Sequence, residues 1–76
     1  MTLEEIKSRL TDNFQGAQID VSGEGCSAEV QITSDLFDGQ RLLQRQRSVL
    51  SLFAEEIKSG EIHALSVKAK TPKELE

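Results

Sequence analysis

The segment Ile62-His63-Ala64-Leu65-Ser66-Val67-Lys68-Ala69-Lys70 decides the fold of this chain. Its side chains alternate in polarity, which predicts a β-strand. One face of that strand carries His63, Leu65, Val67 and Ala69. A helical pattern over residues 40–59 precedes it, so the chain reaches this strand from the previous one through a helix. Such a connection is typical of parallel strands.

Two earlier segments are predicted to form a hairpin. Residues 17–22 alternate, with Ile19 and Val21 on one face, and residues 26–33 alternate again. The turn between them, Ser22-Gly23-Glu24-Gly25, contains two glycines, which is typical of a hairpin loop. We therefore expect a three-stranded mixed sheet, in which the strands that begin at residues 26 and 62 are parallel.

Helices are predicted before and after this hairpin. Thr2 and Glu5 match a capping box, and an apolar stripe follows at helical spacing: Leu3, Ile6, Leu10 and Phe14. A second helix is expected over residues 40–59, with a stripe of Leu42, Val49, Phe53 and Ile57. Thr71 and Glu74 match another capping box, at the start of a short terminal helix. The predicted fold class is α+β: a two-layer αββ(α)αβ domain whose three-stranded mixed sheet is covered on one face by helices.

Composition limits the function classes. A chain of 76 residues forms one domain (1–76), and a hydrophobic content of 37% without Trp or Tyr indicates a small aliphatic core. Such a core leaves little room for a deep substrate cavity. The single histidine has no matched nucleophile and no paired carboxylates are evident, so no catalytic constellation is predicted. We expect a binding or adaptor protein rather than an enzyme.

Cysteine content and charge indicate the compartment. One cysteine cannot form an internal disulfide. Acidic residues follow Met1 where a signal peptide would be basic, and no apolar run approaches the length of a membrane span. We therefore expect a cytoplasmic protein without membrane association. The net charge of −4 disfavours non-specific nucleic-acid binding, because the phosphate backbone would be repelled.

Cys26 and His63 are the candidate metal ligands. Each lies at the start of a predicted strand, and the two strands are expected to be parallel. Both side chains should therefore meet at one edge of the sheet, near the Gly23–Gly25 loop. Thiolate and imidazole are soft ligands that could hold a metal between them. The alternative is structural: Cys26 would be a small half-buried hydrophobe, and His63 a surface imidazole at a strand end.

Several motifs of this sequence resemble the BolA family. They are Leu36-Phe37-Asp38-Gly39, Arg45-Gln46-Arg47 with Val49 two residues on, Ile62-His63-Ala64-Leu65-Ser66, Thr71-Pro72-Lys73-Glu74 and the hairpin Val21-Ser22-Gly23-Glu24-Gly25-Cys26. The resemblance covers essentially the whole chain, from the first helix to the terminal Thr-Pro motif. It implies a fold similar to the class II KH domain.

The resemblance also implies a partner and a cofactor. Family members pair with monothiol glutaredoxins, and a 2Fe-2S cluster bridges the two proteins. On this side the ligands would be His63 and Cys26; the partner would supply its cysteine and a glutathione thiol. No cluster is expected in the isolated chain. Members of the family are linked to iron–sulfur cluster delivery, iron regulation and stress responses.

A partner-binding surface is expected beside these ligands. It consists of Arg45, Arg47, Gly23, Glu24 and Gly25. The arginines would attract an acidic partner surface or the carboxylates of glutathione; the alternative is ordinary solvated helix charge. Many relatives have histidine between the two arginines, where this chain has Gln46, which weakens any metal-binding role for that motif. Lys68 and Lys70, on the other face of the last strand, extend the basic patch or only solvate the sheet.

Nucleic-acid binding, as a KH-like transcriptional regulator, is the alternative function. A KH domain clamps the nucleic-acid backbone with a Gly-x-x-Gly loop. Gly23-Glu24-Gly25 has the wrong spacing, and Gly39-Gln40-Arg41-Leu42 lacks the second glycine. The three phenylalanines are expected in the core rather than in base stacking. Direct nucleic-acid binding therefore ranks below the glutaredoxin partnership.

Overall fold

Helices and strands follow one another in the order expected from the sequence. The computed structural model describes residues 1–24 and 26–75. Its main elements are α1 (Leu3–Asn13), β1 (Gln18–Glu24), β2 (Ser27–Thr33), α2 (Leu42–Leu50), α3 (Ala54–Ser59) and β3 (Ala64–Lys70). Short 3₁₀ turns occupy Asp35–Phe37, Ser51–Phe53 and Pro72–Leu75. Over these described residues, no helix has both the length and the apolar character to cross a membrane.

The sheet is mixed, with β2 in the centre. Val30 of β2 lies opposite Val21 in the antiparallel strand β1 and opposite Val67 in the parallel strand β3. The strand order β1-β2-β3 leaves β1 and β3 at the two edges. The predicted α+β fold and its parallel strand pair are therefore confirmed.

One face of the sheet packs against the helices and the other is open. In β2, Ala28, Val30 and Ile32 are buried, while the alternate residues Glu29 and Gln31 are exposed. The core consists of Ile6, Leu10, Phe14, Ile19, Ala28, Val30, Ile32, Phe37, Val49, Phe53, Ile62 and Ala69. Full burial of each larger aliphatic side chain contributes about 1.5–3 kcal/mol. The period-two alternation of the strands thus selects the face that becomes the core.

Both predicted capping boxes are present. The Thr2 hydroxyl accepts a hydrogen bond from the Glu5 amide (3.1 Å), and the Glu5 carboxylate accepts one from the Thr2 amide (3.2 Å). The hydrogen bonds that the Thr2 amide and then the Thr2 hydroxyl donate to the Glu5 carboxylate lower the pKa of Glu5. At the other end of the chain, the Thr71 amide donates to the Glu74 carboxylate (2.7 Å) and the Glu74 amide donates to the Thr71 hydroxyl (3.3 Å).

The expected helix over residues 40–59 is interrupted. The 3₁₀ turn Ser51–Phe53 separates α2 from α3. Phe53 is buried, but its main chain leaves helical geometry (φ −118°, ψ 18°), so α3 starts in a new direction. Ile57 of α3 is 40% exposed, and its assignment to the core stripe is wrong. At the other end Leu42 is 66% exposed, so its assignment to the core stripe is wrong as well.

Candidate ligand pair and partner surface

Cys26 and His63 lie side by side at the start of the two parallel strands. Ser27 pairs with Ala64 in the sheet register, so the preceding residues of both strands are neighbours. The His63 amide donates to the Cys26 carbonyl oxygen at 2.6 Å, and the Ala64 amide donates to the same oxygen at 3.2 Å. The structure therefore brings the two residues together, as parallel strands require. Their role as ligands stays a prediction.

The main chain bends at His63. In a regular strand, successive amides point to opposite sides, yet here the amides of His63 and Ala64 both reach the Cys26 carbonyl. β3 accordingly begins at Ala64. The expectation that His63 shares a face with Leu65 and the core side of β3 is wrong, because His63 precedes the regular alternation and its side chain is exposed.

Buried and paired residues on both sides hold His63 in place. Ile62 is 1% exposed, and its amide donates to the carbonyl oxygen of Glu56 in α3 (3.0 Å). Ala64 on the other side is fixed by its pairing with Ser27. The imidazole is thus presented to solvent from a main chain that is anchored before and after it.

The Cys26 thiol is exposed, as is the imidazole. The alternative of a half-buried hydrophobic Cys26 is therefore wrong. No group of three or more His, Cys, Asp or Glu side chains suited to a metal is found in residues 1–24 and 26–75. An iron–sulfur cluster takes four ligands from thiolates and imidazoles. The pair fits one half of such a ligand set, and the other half would come from a second molecule.

The hairpin end of β1 and β2 lies next to this pair. Glu24 pairs with Ser27, which pairs in turn with Ala64, so Glu24 is at the same end of the sheet and is exposed. Gly23 has a φ of 96°, and a Cβ there would lie 2.6 Å from the Ser27 carbonyl oxygen. Only glycine fits this close approach of the two strands. Gly25, the third residue expected here, lies outside the described residues.

Arg45 does not lie on an exposed surface, which corrects the expectation for this residue. It is 6% exposed, and its guanidinium donates to the carbonyl oxygens of Gln40 (2.9 Å) and Ala69 (3.2 Å) and to the Glu74 carboxylate (2.7 Å). Its position four residues before Val49 belongs to the core-facing side of α2. Because its donors are used internally, Arg45 ties α2 to β3 and to the terminal turn. Arg47 is exposed, so a contact with a partner stays a prediction for it.

A groove between α2 and β3 was not anticipated from the sequence. This α2–β3 groove encloses about 290 Å³ and is lined by Leu42, Arg45 and Gln46 of α2, by residues 67–70 of β3 and by Glu74. The sequence does contain one indication of an apolar surface here, the leucine pair at positions 42 and 43. Neighbouring helix residues point in different directions, so one narrow apolar stripe cannot bury both leucines. Leu43 is 57% exposed in the structure.

Comparison with known proteins identifies the family. The family model described as BolA-like protein matches residues 7–74. Protein BOLA2 of Arabidopsis thaliana is 44% identical over 80 residues, covering 97% of this chain and 83% of that protein. The DNA-binding transcriptional regulator BolA of Escherichia coli (strain K12) is 34% identical over 86 residues, covering 100% of this chain and 81% of the relative. The solved BolA domain of SufE1 from Arabidopsis thaliana superposes with a TM-score of 0.83 at 33% identity, covering 93% of this chain and 92% of that domain. The chain therefore belongs to the BolA family.

Proposed function

We propose that this chain is a non-catalytic adaptor that binds a monothiol glutaredoxin and shares a 2Fe-2S cluster with it. Cys26 and His63 would be its two ligands, and the partner's cysteine and a glutathione thiol would be the others. The observation that supports this proposal is the placement of one exposed thiol and one exposed imidazole on adjacent residues of parallel strands. Such an adaptor would act in iron–sulfur cluster trafficking or in iron and redox regulation.

The exposure of the pair suits a shared site. A partner can approach both side chains without opening the fold, because neither Cys26 nor His63 belongs to the core. An imidazole ligand in place of a thiolate raises the reduction potential of a 2Fe-2S cluster. Two ligands alone leave half of the coordination sphere to the partner, so cluster binding would require the heterodimer.

The hairpin end adds a charge to this surface. Glu24 is exposed beside the pair and takes part in none of the ion pairs of the described residues. A complementary partner surface would place a basic side chain opposite Glu24. Such a charge pair would mainly set the relative orientation of the two proteins and would add little to their affinity. Arg47 is retained as a second candidate contact, whereas Arg45 is not, because its hydrogen bonds are internal.

Anaerobic reconstitution tests the proposal. The chain is mixed with a monothiol glutaredoxin, glutathione, iron and sulfide, and the visible absorption, the circular dichroism and the mass of the complex are recorded. We expect a heterodimer whose spectrum differs from that of the glutaredoxin homodimer. His63→Ala and Cys26→Ser should change or abolish that spectrum, whereas Ser66→Ala, at an exposed site on β3, should not. A spectrum identical in all three variants, or no heterodimer, would contradict the proposal.

A DNA-binding regulator is the second candidate function. It is supported by the similarity to the Escherichia coli relative, a DNA-binding transcriptional regulator. Basic side chains that form no ion pair within residues 1–24 and 26–75, such as Lys68 and Lys70, would have to supply the phosphate contacts. A gel shift at physiological salt with duplexes of defined sequence tests it. Saturable submicromolar binding that Lys68→Glu weakens would place this function ahead of the adaptor.

A further inference from the structure

The outer edge of β3 carries main-chain groups that no other strand uses. In a parallel pair, alternate residues direct both their amide and their carbonyl to the neighbouring strand. Ala64 donates to Cys26 and Lys70 accepts from Ser34, so the even-numbered residues of β3 face β2. The odd-numbered residues therefore face outward, and the bond from Arg45 to the Ala69 carbonyl confirms this direction. In the described part of the chain, no hydrogen bond from another element reaches Val67.

The α2–β3 groove runs along this free edge. Side chains of a strand alternate between its two faces, so four consecutive residues can line one cavity only where the cavity follows the strand edge. Residues 67–70 all line the groove. Its far wall is α2, where Leu42 is 66% exposed. The groove thus combines an open strand edge with an apolar side chain that no core residue covers.

The charges around the groove are basic. Lys68 and Lys70 are exposed, and the ion pairs among residues 1–24 and 26–75 involve neither of them. Glu74 also lines the groove, but its carboxylate lies 2.7 Å from the Arg45 guanidinium, so these two charges offset each other. The two lysines give this site a local positive charge on a chain whose net charge is −4, and that local charge favours an acidic ligand.

We propose that the α2–β3 groove binds an extended, acidic peptide segment of a partner protein, which adds to the sheet as a fourth strand beside β3. The outward amide and carbonyl of Val67 would pair with the main chain of that segment, as in other proteins that bind peptides at a sheet edge. An apolar side chain of the segment would cover Leu42, and a carboxylate would lie between Lys68 and Lys70.

This docking site is separate from the ligand pair. Val67 is three residues beyond Ala64 along β3, which is about 10 Å of strand. Neither Cys26 nor His63 is among the residues that line the groove. A failure of cluster binding would therefore leave the peptide site intact, and the reverse also holds.

Titration of the ¹⁵N-labelled chain with two peptides tests the proposal. The probe is a blocked seven-residue peptide that alternates valine and glutamate, and the control peptide alternates valine and lysine. We expect the acidic peptide to shift the amide signals of residues 67–70 and Leu42 and to slow hydrogen exchange at the Val67 amide. Lys68→Glu combined with Lys70→Glu should weaken binding about tenfold or more. The matched pair Lys7→Glu and Lys58→Glu, at exposed helix sites, should leave it unchanged.

Several outcomes would overturn the proposal. The absence of binding at millimolar peptide would do so, and so would equal binding of the basic control peptide. Signal shifts without slower exchange at Val67 would show attachment to the lysines alone, with no added strand. If a single-stranded oligonucleotide of similar charge bound more tightly than the peptide, the groove would be assigned to nucleic acid. If the Val67 amide were protected by self-association in the absence of peptide, the groove would be assigned to a second copy of the chain.

Discussion

The amide of His63 donates to the carbonyl oxygen of Cys26 at 2.6 Å, so the two candidate ligands are joined through their main chains. Their side chains take no part in that bond and both are exposed. Replacement of either side chain should therefore leave the sheet intact. Loss of the ligand and loss of the fold are consequently separable by experiment.

Removal of the His63 amide proton should lower the free energy of unfolding, whereas removal of the His63 imidazole should not. His63→Pro eliminates the donor to Cys26, and we expect the free energy of unfolding to fall by about 1–3 kcal/mol. His63→Ala keeps the amide and should change it by less than about 0.5 kcal/mol. Urea denaturation of both variants measures the difference. Equal stability of the two would show that the bond contributes nothing.

Arg45 should be important for stability and Arg47 should not. Arg45→Ala leaves the carbonyl oxygens of Gln40 and Ala69 without a donor and Glu74 without its cation. We expect the free energy of unfolding to fall by about 2–4 kcal/mol. Arg47→Ala, at an exposed site, should change it by less than about 0.5 kcal/mol. A similar midpoint of urea denaturation for both variants would argue against the internal role of Arg45.

The Glu74 carboxylate should make stability depend on acidic pH. The Arg45 guanidinium, and next the Thr71 amide, lower the pKa of Glu74 from 4.5 to about 2. A folded-state pKa below the unfolded one means that the contribution is fully present above pH 4.5 and is lost as the pH falls toward about 2. Glu74→Gln should reduce stability at neutral pH and flatten this acid dependence. Urea denaturation across that range, with an NMR titration of the carboxyl, provides the check.

Some acid dependence should persist in Glu74→Gln. The pKa values of Glu5 and Glu56 are also lowered, by hydrogen bonds from Thr2 and from Arg9 respectively. If the stability of Glu74→Gln fell with decreasing pH as steeply as that of the unmodified chain, Glu74 would be ruled out as a main source of the acid dependence.

Gly23 should tolerate substitution less well than Gly39. Both have positive φ, but a Cβ at Gly23 would lie 2.6 Å from the Ser27 carbonyl oxygen, while Gly39 has no atom within 4 Å of that position. We expect Gly39→Ala to cost about 1 kcal/mol from the backbone conformation. Gly23→Ala should cost about 2–4 kcal/mol, because the strand pairing must also shift. Thermal unfolding of the two variants compares them, and equal melting temperatures would contradict the steric argument.

The sheet could be predicted from the sequence because its signals are local. Period-two alternation and the capping boxes depend on near neighbours, and a helix between β2 and β3 is typical of parallel strands. The meeting of Cys26 and His63 follows from that topology alone. The bend at His63 could not be predicted, since it depends on one carbonyl oxygen that accepts from two successive amides.

The burial of Arg45 and the exposure of Leu42 in α2 could not be predicted correctly, because they depend on residues far away in the sequence. The helical spacing of apolar residues predicts that the leucine lies in the core and the arginine on the surface. In the structure, Arg45 is buried and Leu42 is exposed. Burial of a guanidinium requires acceptors, and here Ala69 and Glu74 lie more than twenty residues after Arg45 in the sequence. The groove beside Leu42 results from the same arrangement, so the leucine pair at positions 42 and 43 indicates its α2 wall but not the wall formed by β3 and Glu74.

The anchored main chain around His63 has an entropic consequence. With Ile62 buried and Ala64 paired, the main chain on both sides of His63 is already fixed. A molecule that engages His63 therefore restricts its side-chain torsions and not its main chain. Immobilisation of each such side chain costs about 0.5–1.5 kcal/mol. A ligand of His63 should therefore lose less affinity to ordering than one that must also fix a loop, while the entropy of association is lost in both cases.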